Sequence, residues 1–227
     1  MTTMIINFCT TVKNRTWQLK QTLSENMFYI RKHSNTKILI LNYNSEDDLN
    51  TYLTTYFLPD IISGQIEYYI LNDVKDSFDM SYAKNLIHTQ VKEGVVFNLD
   101  ADNFINNVLI KELSMLKDNE LLIPYQGSDV THKGFRDTGR CGRLGLTLNS
   151  FNKLKGYDES IKGLGGDDGN LVRRAINHGF KLIKSEEKSL PIPNYEESKI
   201  KNITKENMGS LESVNLNGYG IGNVTRF

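Results

Sequence analysis

Two carboxylates one residue apart, Asp100 and Asp102, directly follow a short apolar run at residues 95–99. An apolar run of this length, β-branched at its start, predicts a buried strand with both aspartates at its carboxyl end. Residues i and i+2 of an extended chain point to the same side, so both carboxylates would face one crevice. Two like charges this close favour a cation between them, and Mn²⁺ or Mg²⁺ prefers hard oxygen ligands. The spacing therefore predicts a metal site that holds a substrate phosphate, although a polar turn after a strand can have the same sequence.

Strands and helices alternate in the part of the chain that leads to this motif. Helices are predicted from Thr16 onward, after Ser45 and Asp48, which have capping-box spacing, and from Ser81 to about Lys92. This alternation predicts an α/β fold, with a mostly parallel central sheet flanked by helices and ligands at the carboxyl ends of its strands. The predicted strands are residues 4–11, 37–42, 66–71 and 95–99.

The second half of the chain is less regular. A helix is predicted at residues 106–117 and strands at 121–124 and 143–148, with a long polar loop at 125–142 between the two strands. A further helix is predicted from Asp168 to His178, where Gly179 would end it. Long loops in compact domains are usually functional or disordered.

Composition narrows the class of protein. The chain has 227 residues, 39% of them hydrophobic and 24% charged, which is enough for one sizeable domain. Its formal net charge is zero, so we expect no nucleic-acid partner. Cys9 and Cys141 lack metal-binding spacing and are expected to be reduced thiols in or near the core. No stretch has the pattern of a signal peptide or a transmembrane segment, which predicts a soluble, cytoplasmic protein.

Four segments of the chain resemble, in order, the motifs of nucleotide-sugar glycosyltransferases of the A-type fold, in the broad family 2 group. The likeness extends from Ile5 to about Ile183, and the second half resembles the C-terminal region of galactosyltransferases. It implies one glycosyltransferase domain over 1–227, with a nucleotide-binding half (1–102), an acceptor-binding half (103–184) and an irregular tail or flap (185–227). The segments are Thr11-Val12-Lys13-Asn14-Arg15, Met80-Ser81-Tyr82-Ala83-Lys84-Asn85, Asp100-Ala101-Asp102 and Gly163-Leu164-Gly165-Gly166-Asp167-Asp168.

The resemblance implies a role for each segment. Asp102, together with Asp100, would bind Mn²⁺ or Mg²⁺, and Asp168 would be the general base of an inverting transfer. The donor would be a UDP-sugar, and the acceptor a glycan or another hydroxyl compound. The implied substrate-binding residues are Thr11, Lys13, Arg15, Asn42, Lys84, Asn85, Asp100, Gly165, Gly166 and Asp167.

Simple chemistry supports several of these roles and leaves alternatives open. Lys13 and Arg15 follow a strand end, where cations pair well with a diphosphate, although both would also suit an exposed surface. Lys84 and Asn85 are expected to open a helix, and a lysine there is unfavourable unless an anion is bound. Asn42 ends the second strand, where contact with the nucleobase and an ordinary turn are both consistent with asparagine.

The glycine-rich segment has two interpretations as well. Gly165 and Gly166 permit close approach of a sugar and present Asp167 and Asp168 at a helix N-terminus, which is expected to keep Asp168 ionised. Aspartate is also a common helix cap, so the same residues are consistent with a purely structural role.

The chain departs from the family pattern at three points. Leu164 replaces an aromatic residue, Asn170 replaces an acidic one, and no histidine follows His178 to serve as the third metal ligand. Loss of the aromatic ring removes a stacking surface for the acceptor, so the acceptor's identity does not carry over. The candidates for the third ligand, besides water, are Asn194, Glu196 and Glu197.

The leading hypothesis is a metal-dependent inverting glycosyltransferase that moves a hexose or N-acetylhexosamine, galactose-type, from a UDP-sugar. The departures at Leu164 and Asn170 keep open a second hypothesis, a catalytically inactive nucleotide-sugar- or glycan-binding module of the same fold. A haloacid-dehalogenase-like phosphatase is a remote third, since its nucleophile lies in an Asp-x-Asp after a strand. Here Asn103 and Phe104 occupy the positions where that class has a small hydroxyl residue.

Overall fold

A computed structural model of the protein describes residues 4–74, 77–125, 141–163, 165–192, 209–211 and 214–227. The strands in these ranges are β1 (Ile6–Val12), β2 (Thr36–Asn42), β3 (Ile66–Leu71), β4 (Val95–Asn98), β5 (Glu120–Ile123), β6 (Gly145–Thr147), β7 (Lys181–Lys184) and β8 (Val224–Arg226). The helices are α1 (Thr16–Lys32), α2 (Leu49–Tyr56), α3 (Leu58–Ser63), α4 (Met80–His88), α5 (Asn107–Ser114), α6 (Leu148–Lys153) and α7 (Asp167–Asn177).

The described strands form one sheet in the order β7-β5-β6-β4-β1-β2-β3-β8. Four of its seven pairings are parallel, namely β1 with β2 and β4, β2 with β3, and β5 with β7. The remaining three, β3 with β8 and β6 with β4 and β5, are antiparallel. The predicted α/β fold with a mostly parallel sheet is therefore confirmed, and β6 is the strand that interrupts the parallel order.

Helices cover both faces of the sheet because the central strands alternate their apolar side chains between two cores. In β1, Phe8 belongs to one core and Cys9 to the other, and in β2 Ile40 and Leu41 divide in the same way. Helices α1, α2 and α5 pack on the first face, and α4, α6 and α7 on the second. The apolar stripe predicted for α1 is fully buried, at Leu19, Leu23, Met27 and Ile30.

Two local predictions are wrong. Helix α2 begins after Asp48, but the side chain of Asp48 makes no capping bond. Ser45 instead donates to the carbonyl oxygen of Val12, because the turn after β2 lies against the end of β1. The tail is also not irregular throughout, since β8 adds an antiparallel edge strand to β3.

Other local features agree with the sequence. Helix α7 ends at Asn177, and Gly179 follows in the left-handed region with φ +73°, as a C-terminal glycine should. Both cysteines are free, with Cys9 buried and Cys141 half-buried. Among the described helices, none combines the length and apolar character needed to cross a membrane.

Candidate active site

The two strands that carry the first predicted site residues lie side by side at a reversal of strand order. β1 is flanked by β2, the next strand in sequence, on one side and by β4 on the other. Ligands of open α/β sheets bind outside the carboxyl ends of the strands at such a switch point. Asn98, the last residue of β4, is level with Cys9, so Asp100 and Asp102 emerge beside the end of β1.

The carboxylate of Asp100 is held from two sides. Asn98 donates through Nδ2 to Oδ1 of Asp100 at 3.0 Å and to the carbonyl oxygen of Gly142 at 2.9 Å. A Cβ at residue 142 would lie 2.5 Å from Oδ2 of Asp100, so any larger residue there would displace this carboxylate. The bridge through Asn98 therefore fixes both the carboxylate and the segment that follows residue 141.

Asp102 lies in the field of Asp100. Burial and the charge of Asp100 raise the pKa of Asp102 to about 7, against the hydrogen bond that Asn103 donates at 2.6 Å. Arg15 is close enough to oppose this shift in the pKa of Asp102. Two crowded carboxylates with hard oxygens match the donor set of Mn²⁺ or Mg²⁺, because a cation removes their repulsion. Within the described residues, no third histidine, cysteine or carboxylate joins them to form a metal-binding group.

A second acidic pair lies at the start of α7. Gly165 and Gly166 have φ of +89° and +87°, a conformation that costs other residues energy. Gly166 is the N-cap, and Asp167 and Asp168 form the first turn of the helix. The glycines thus set the direction from which the helix presents both carboxylates.

Lys84 of α4 joins this second pair. Its Nζ lies 2.6 Å from Oδ2 of Asp167 and 2.6 Å from Oδ1 of Asp168. Burial alone would lower the pKa of Lys84, but the two carboxylates outweigh burial and raise it. Burial and Asp167 raise the pKa of Asp168 to about 7, with Lys84 opposing. The helix N-terminus favours the ionised form of Asp168, but burial beside a like charge acts against it and is the stronger effect on its pKa.

The two acidic pairs are close enough for a charge of one to act on the other. The charge of Asp100 contributes to the raised pKa of Asp168 across the crevice. Cys141 responds to both pairs, because burial, Asp168 and Asp100 together raise the pKa of its thiol to about 11. Residues from the end of β4 and the start of α7 thus converge at the carboxyl edge of the sheet.

Comparison with known proteins gives this architecture a name. No protein-family model and no curated protein sequence matches the chain. Solved structures do match, with TM-scores of 0.59 to 0.61 and 11–16% identity over 79–83% of the chain. The chain has the A-type glycosyltransferase fold.

Three of the matching structures come from different proteins. They are GalNAc-T7 with UDP, GalNAc and Mn²⁺ (TM-score 0.61, 16% identity), residues 1–349 of S. aureus TarS (0.59, 12%) and the Pyrobaculum calidifontis mannosyltransferase with GDP-Man and Mn²⁺ (0.61, 11%). The chain covers 81%, 83% and 79% of its own length in these alignments, but 43%, 60% and 54% of theirs. It thus spans about half the length of these three proteins.

Some predicted donor residues of this A-type fold lie at the expected edge. Thr11, Lys13 and Arg15 are half-buried at and after the end of β1, and Lys13 places its Nζ 5.6 Å from the centre of the Tyr43 ring. Asn42 is differently engaged. Its Nδ2 donates to Asn50 and to the hydroxyl of Tyr68, and its Oδ1 accepts from the Ser45 amide. Its contact with a nucleobase stays a prediction.

Lys84 and Asn85 do not open a helix, since α4 begins at Met80 and places both in its second turn. Asn85 is fully buried, donates to the carbonyl oxygen of Tyr157 and to Glu159, and accepts from the amide of Tyr157. It therefore ties α4 to the segment before α7. The sequence shows helical periodicity around both residues but not these partners, which lie more than 70 positions away.

The tail returns to the first acidic pair. The amide of Ile192 donates to the carbonyl oxygen of Asp102 at 2.8 Å. Arg143 and Glu187, both buried, form an ion pair of 2.5 Å that anchors the start of this segment. Neither residue belongs to a motif, so the sequence alone gave no sign of this pair. Its candidates for a third metal ligand, Asn194, Glu196 and Glu197, lie outside the described residues, as does most of the loop at 125–142.

Proposed function

We propose that the protein is a metal-dependent inverting glycosyltransferase that moves a sugar from a UDP-sugar to a hydroxyl acceptor. One observation carries this proposal: at the switch point of an A-type fold, Asp100 is close enough to Asp168 for its charge to raise the pKa of that carboxyl. A glycosyl transfer needs both sites next to each other, one for the leaving diphosphate and one for the attacking hydroxyl.

The donor would be bound by residues that follow the carboxyl ends of β1 and β4. Asp102 and Asp100 would hold Mn²⁺ or Mg²⁺, and Arg15, which lies in the field of Asp102, would pair with the diphosphate through its planar fork. A metal bound there would stabilise the negative charge that develops on the departing nucleotide. Arg15, Asp100 and Asp102 would thereby hold the donor by its diphosphate and leave its sugar free to face the acceptor.

The acceptor would be bound and deprotonated by residues at the start of α7. Asp168 takes the proton of the acceptor hydroxyl as that oxygen bonds to the anomeric carbon, and the bond to the nucleotide breaks on the opposite face. A pKa near 7 suits a base that must be ionised before the reaction and protonated after it. Asp167, Gly165 and Gly166 would position the acceptor.

UDP is the proposed nucleotide because GalNAc-T7 and TarS were solved with it, while the mannosyltransferase holds a GDP-sugar. The galactose-type hexose or N-acetylhexosamine follows from the motifs of the second half, and the structures with GalNAc and UDP-GlcNAc are consistent with it. The acceptor is proposed only as a glycan or another hydroxyl compound.

The test is to incubate the protein with UDP-galactose, UDP-GlcNAc and UDP-GalNAc in Mn²⁺ and to measure products with and without glycan acceptors. Transfer with release of UDP is the expected result, and Asp168→Asn should abolish most of it. Binding of a UDP-sugar without release would instead support the inactive binding module. Release of inorganic phosphate would support the phosphatase, and no binding of any UDP-sugar would refute the proposal.

A further inference from the structure

Lys84 is placed with more constraint than a surface lysine. It is 1% exposed on α4, a helix whose neighbouring residues Ala83, Leu86 and Ile87 lie in the core. Asn85 fixes the same turn to Tyr157. The ammonium group therefore has little freedom to leave its position without moving the helix.

The partners of Lys84 are both carboxylates of the second acidic pair. The two contacts of 2.6 Å to Asp167 and Asp168 are short, charge-assisted hydrogen bonds. A lysine with the donor diphosphate as its partner would have to give up both of them. Two carboxylates and one ammonium leave a single negative charge, so this cluster can take up one proton without losing its internal pairing.

We propose that Lys84 is a positioning residue that clamps Asp167 and Asp168 together and leaves one oxygen of Asp168 to take the acceptor proton. Lys84 occupies Oδ1 of Asp168, so the proton goes to Oδ2. When the acceptor O–H bond breaks, its electron pair forms the new bond to the anomeric carbon, and the electrons of the old glycosidic bond leave with the nucleoside diphosphate. Asp168 then becomes neutral, and Asp167 retains the ammonium.

The two aspartates therefore have different roles. Asp167, with 4% of its side chain exposed, stays paired with Lys84, whereas Asp168, with 17% exposed, is the carboxylate that an acceptor can reach. The inference rests on the proposed transferase activity but describes a cluster that can be measured without it. The charged and titratable groups that act on Asp168 or respond to its charge are Lys84, Asp167, Asp100, Cys141 and Tyr157.

The test compares Lys84→Met, which removes the charge, with Lys84→Arg, which keeps it, and with Lys20→Met, which removes a lysine from an exposed pair with Asp48. An opposite charge at this distance moves a carboxyl pKa by roughly 1–3 units. The acid limb of kcat should therefore move up by roughly 1–3 pH units in Lys84→Met. Lys84→Arg should restore most of the wild-type profile, and Lys20→Met should leave it unchanged.

Two binding and titration measurements separate this role from others. UDP affinity in Mn²⁺ should stay within roughly threefold in Lys84→Met, because only the base is affected. The NMR signal of the Asp168 side-chain carboxyl carbon can be assigned because it is lost in Asp168→Asn. In Lys84→Met this signal should titrate at higher pH than in the wild type. A large loss of UDP affinity with an unchanged titration of Asp168 would overturn the proposal and make Lys84 a donor ligand.

If Lys84→Met does not fold, a second variant still tests the proposal. Asp167→Asn keeps Lys84 and gives it a single carboxylate to balance, so Asp168 should titrate at lower pH. An unchanged titration in this variant would also overturn the proposal. If the wild-type protein transfers no sugar, the proposed function fails, while the carboxyl titrations still decide whether Lys84 governs Asp168.

Discussion

The change Glu187→Gln should destabilise the protein far more than its small size suggests. Glu187 and Arg143 are 2% and 3% exposed at their side chains and form an ion pair of 2.5 Å. Glutamine keeps the oxygen that accepts from Asn106 and from the Ser189 amide, but it removes the negative charge that faces the guanidinium of Arg143. Removing one partner of a buried ion pair costs about 3–5 kcal/mol, because the other charge remains buried.

For a chain of this size, each kcal/mol lowers the melting temperature by about 2–4 °C, so Glu187→Gln should lower it by roughly 6–20 °C. Thermal unfolding followed by circular dichroism measures this shift. The matched control is Asp48→Asn, which breaks an exposed pair with Lys20 of the same 2.5 Å length. Exposed pairs contribute about 0–1 kcal/mol, so the control should lower the melting temperature by a few degrees at most.

The same change should also affect the first acidic pair. The amide of Ile192 donates to the carbonyl oxygen of Asp102, and the segment that begins at the Arg143–Glu187 pair places it there. Hydrogen exchange at this amide should accelerate in Glu187→Gln and stay at the wild-type rate in Asp48→Asn. Equal loss of stability in the two variants, with no change in exchange at Ile192, would refute the reasoning that burial gives the pair its importance.

Three further predictions concern the site and its pH dependence. Asp102→Ala should abolish the Mn²⁺-dependent rise in melting temperature with UDP, and Asp100→Ala should weaken it; an equal rise in chelator would contradict the metal site. Asp168→Asn should lower turnover by roughly 10²- to 10⁴-fold with UDP affinity nearly unchanged, as measured by kinetics and calorimetry; near-normal turnover would remove its role as base. His88 is buried, and burial lowers its pKa to about 4, so the unfolded chain binds its proton first and stability should fall by up to about 3 kcal/mol from pH 6.5 to 4. Denaturant unfolding of the wild type and of His88→Gln at pH 7.5 and 4.5 measures this loss of stability. An identical loss in the two proteins would contradict the contribution of His88.

The sequence by itself determined the elements that carry the chemistry. The apolar run before Asp100 specifies a buried strand, and Gly165 and Gly166 before Asp167 specify a helix start, because periodicity and glycine conformation act over a few neighbouring residues. Alternation of strands and helices also determined the fold class, since parallel strands require such connections. These features depend on local interactions, so they can be predicted from the sequence without a structure.

Only the tertiary structure decided which side chains meet. Lys84 contacts Asp167 across 83 positions in the chain, Asn106 contacts Glu187 across 81, and the amide of Asn42 is engaged by Asn50 and Tyr68. The sequence predicted a bound anion at Lys84 without identifying it, because a cation near a helix start is compatible with any anion. Packing of α4 against the segment before α7 selected the aspartates. Charge and residue type set what a side chain can bind, whereas the meeting of distant elements sets what it does bind.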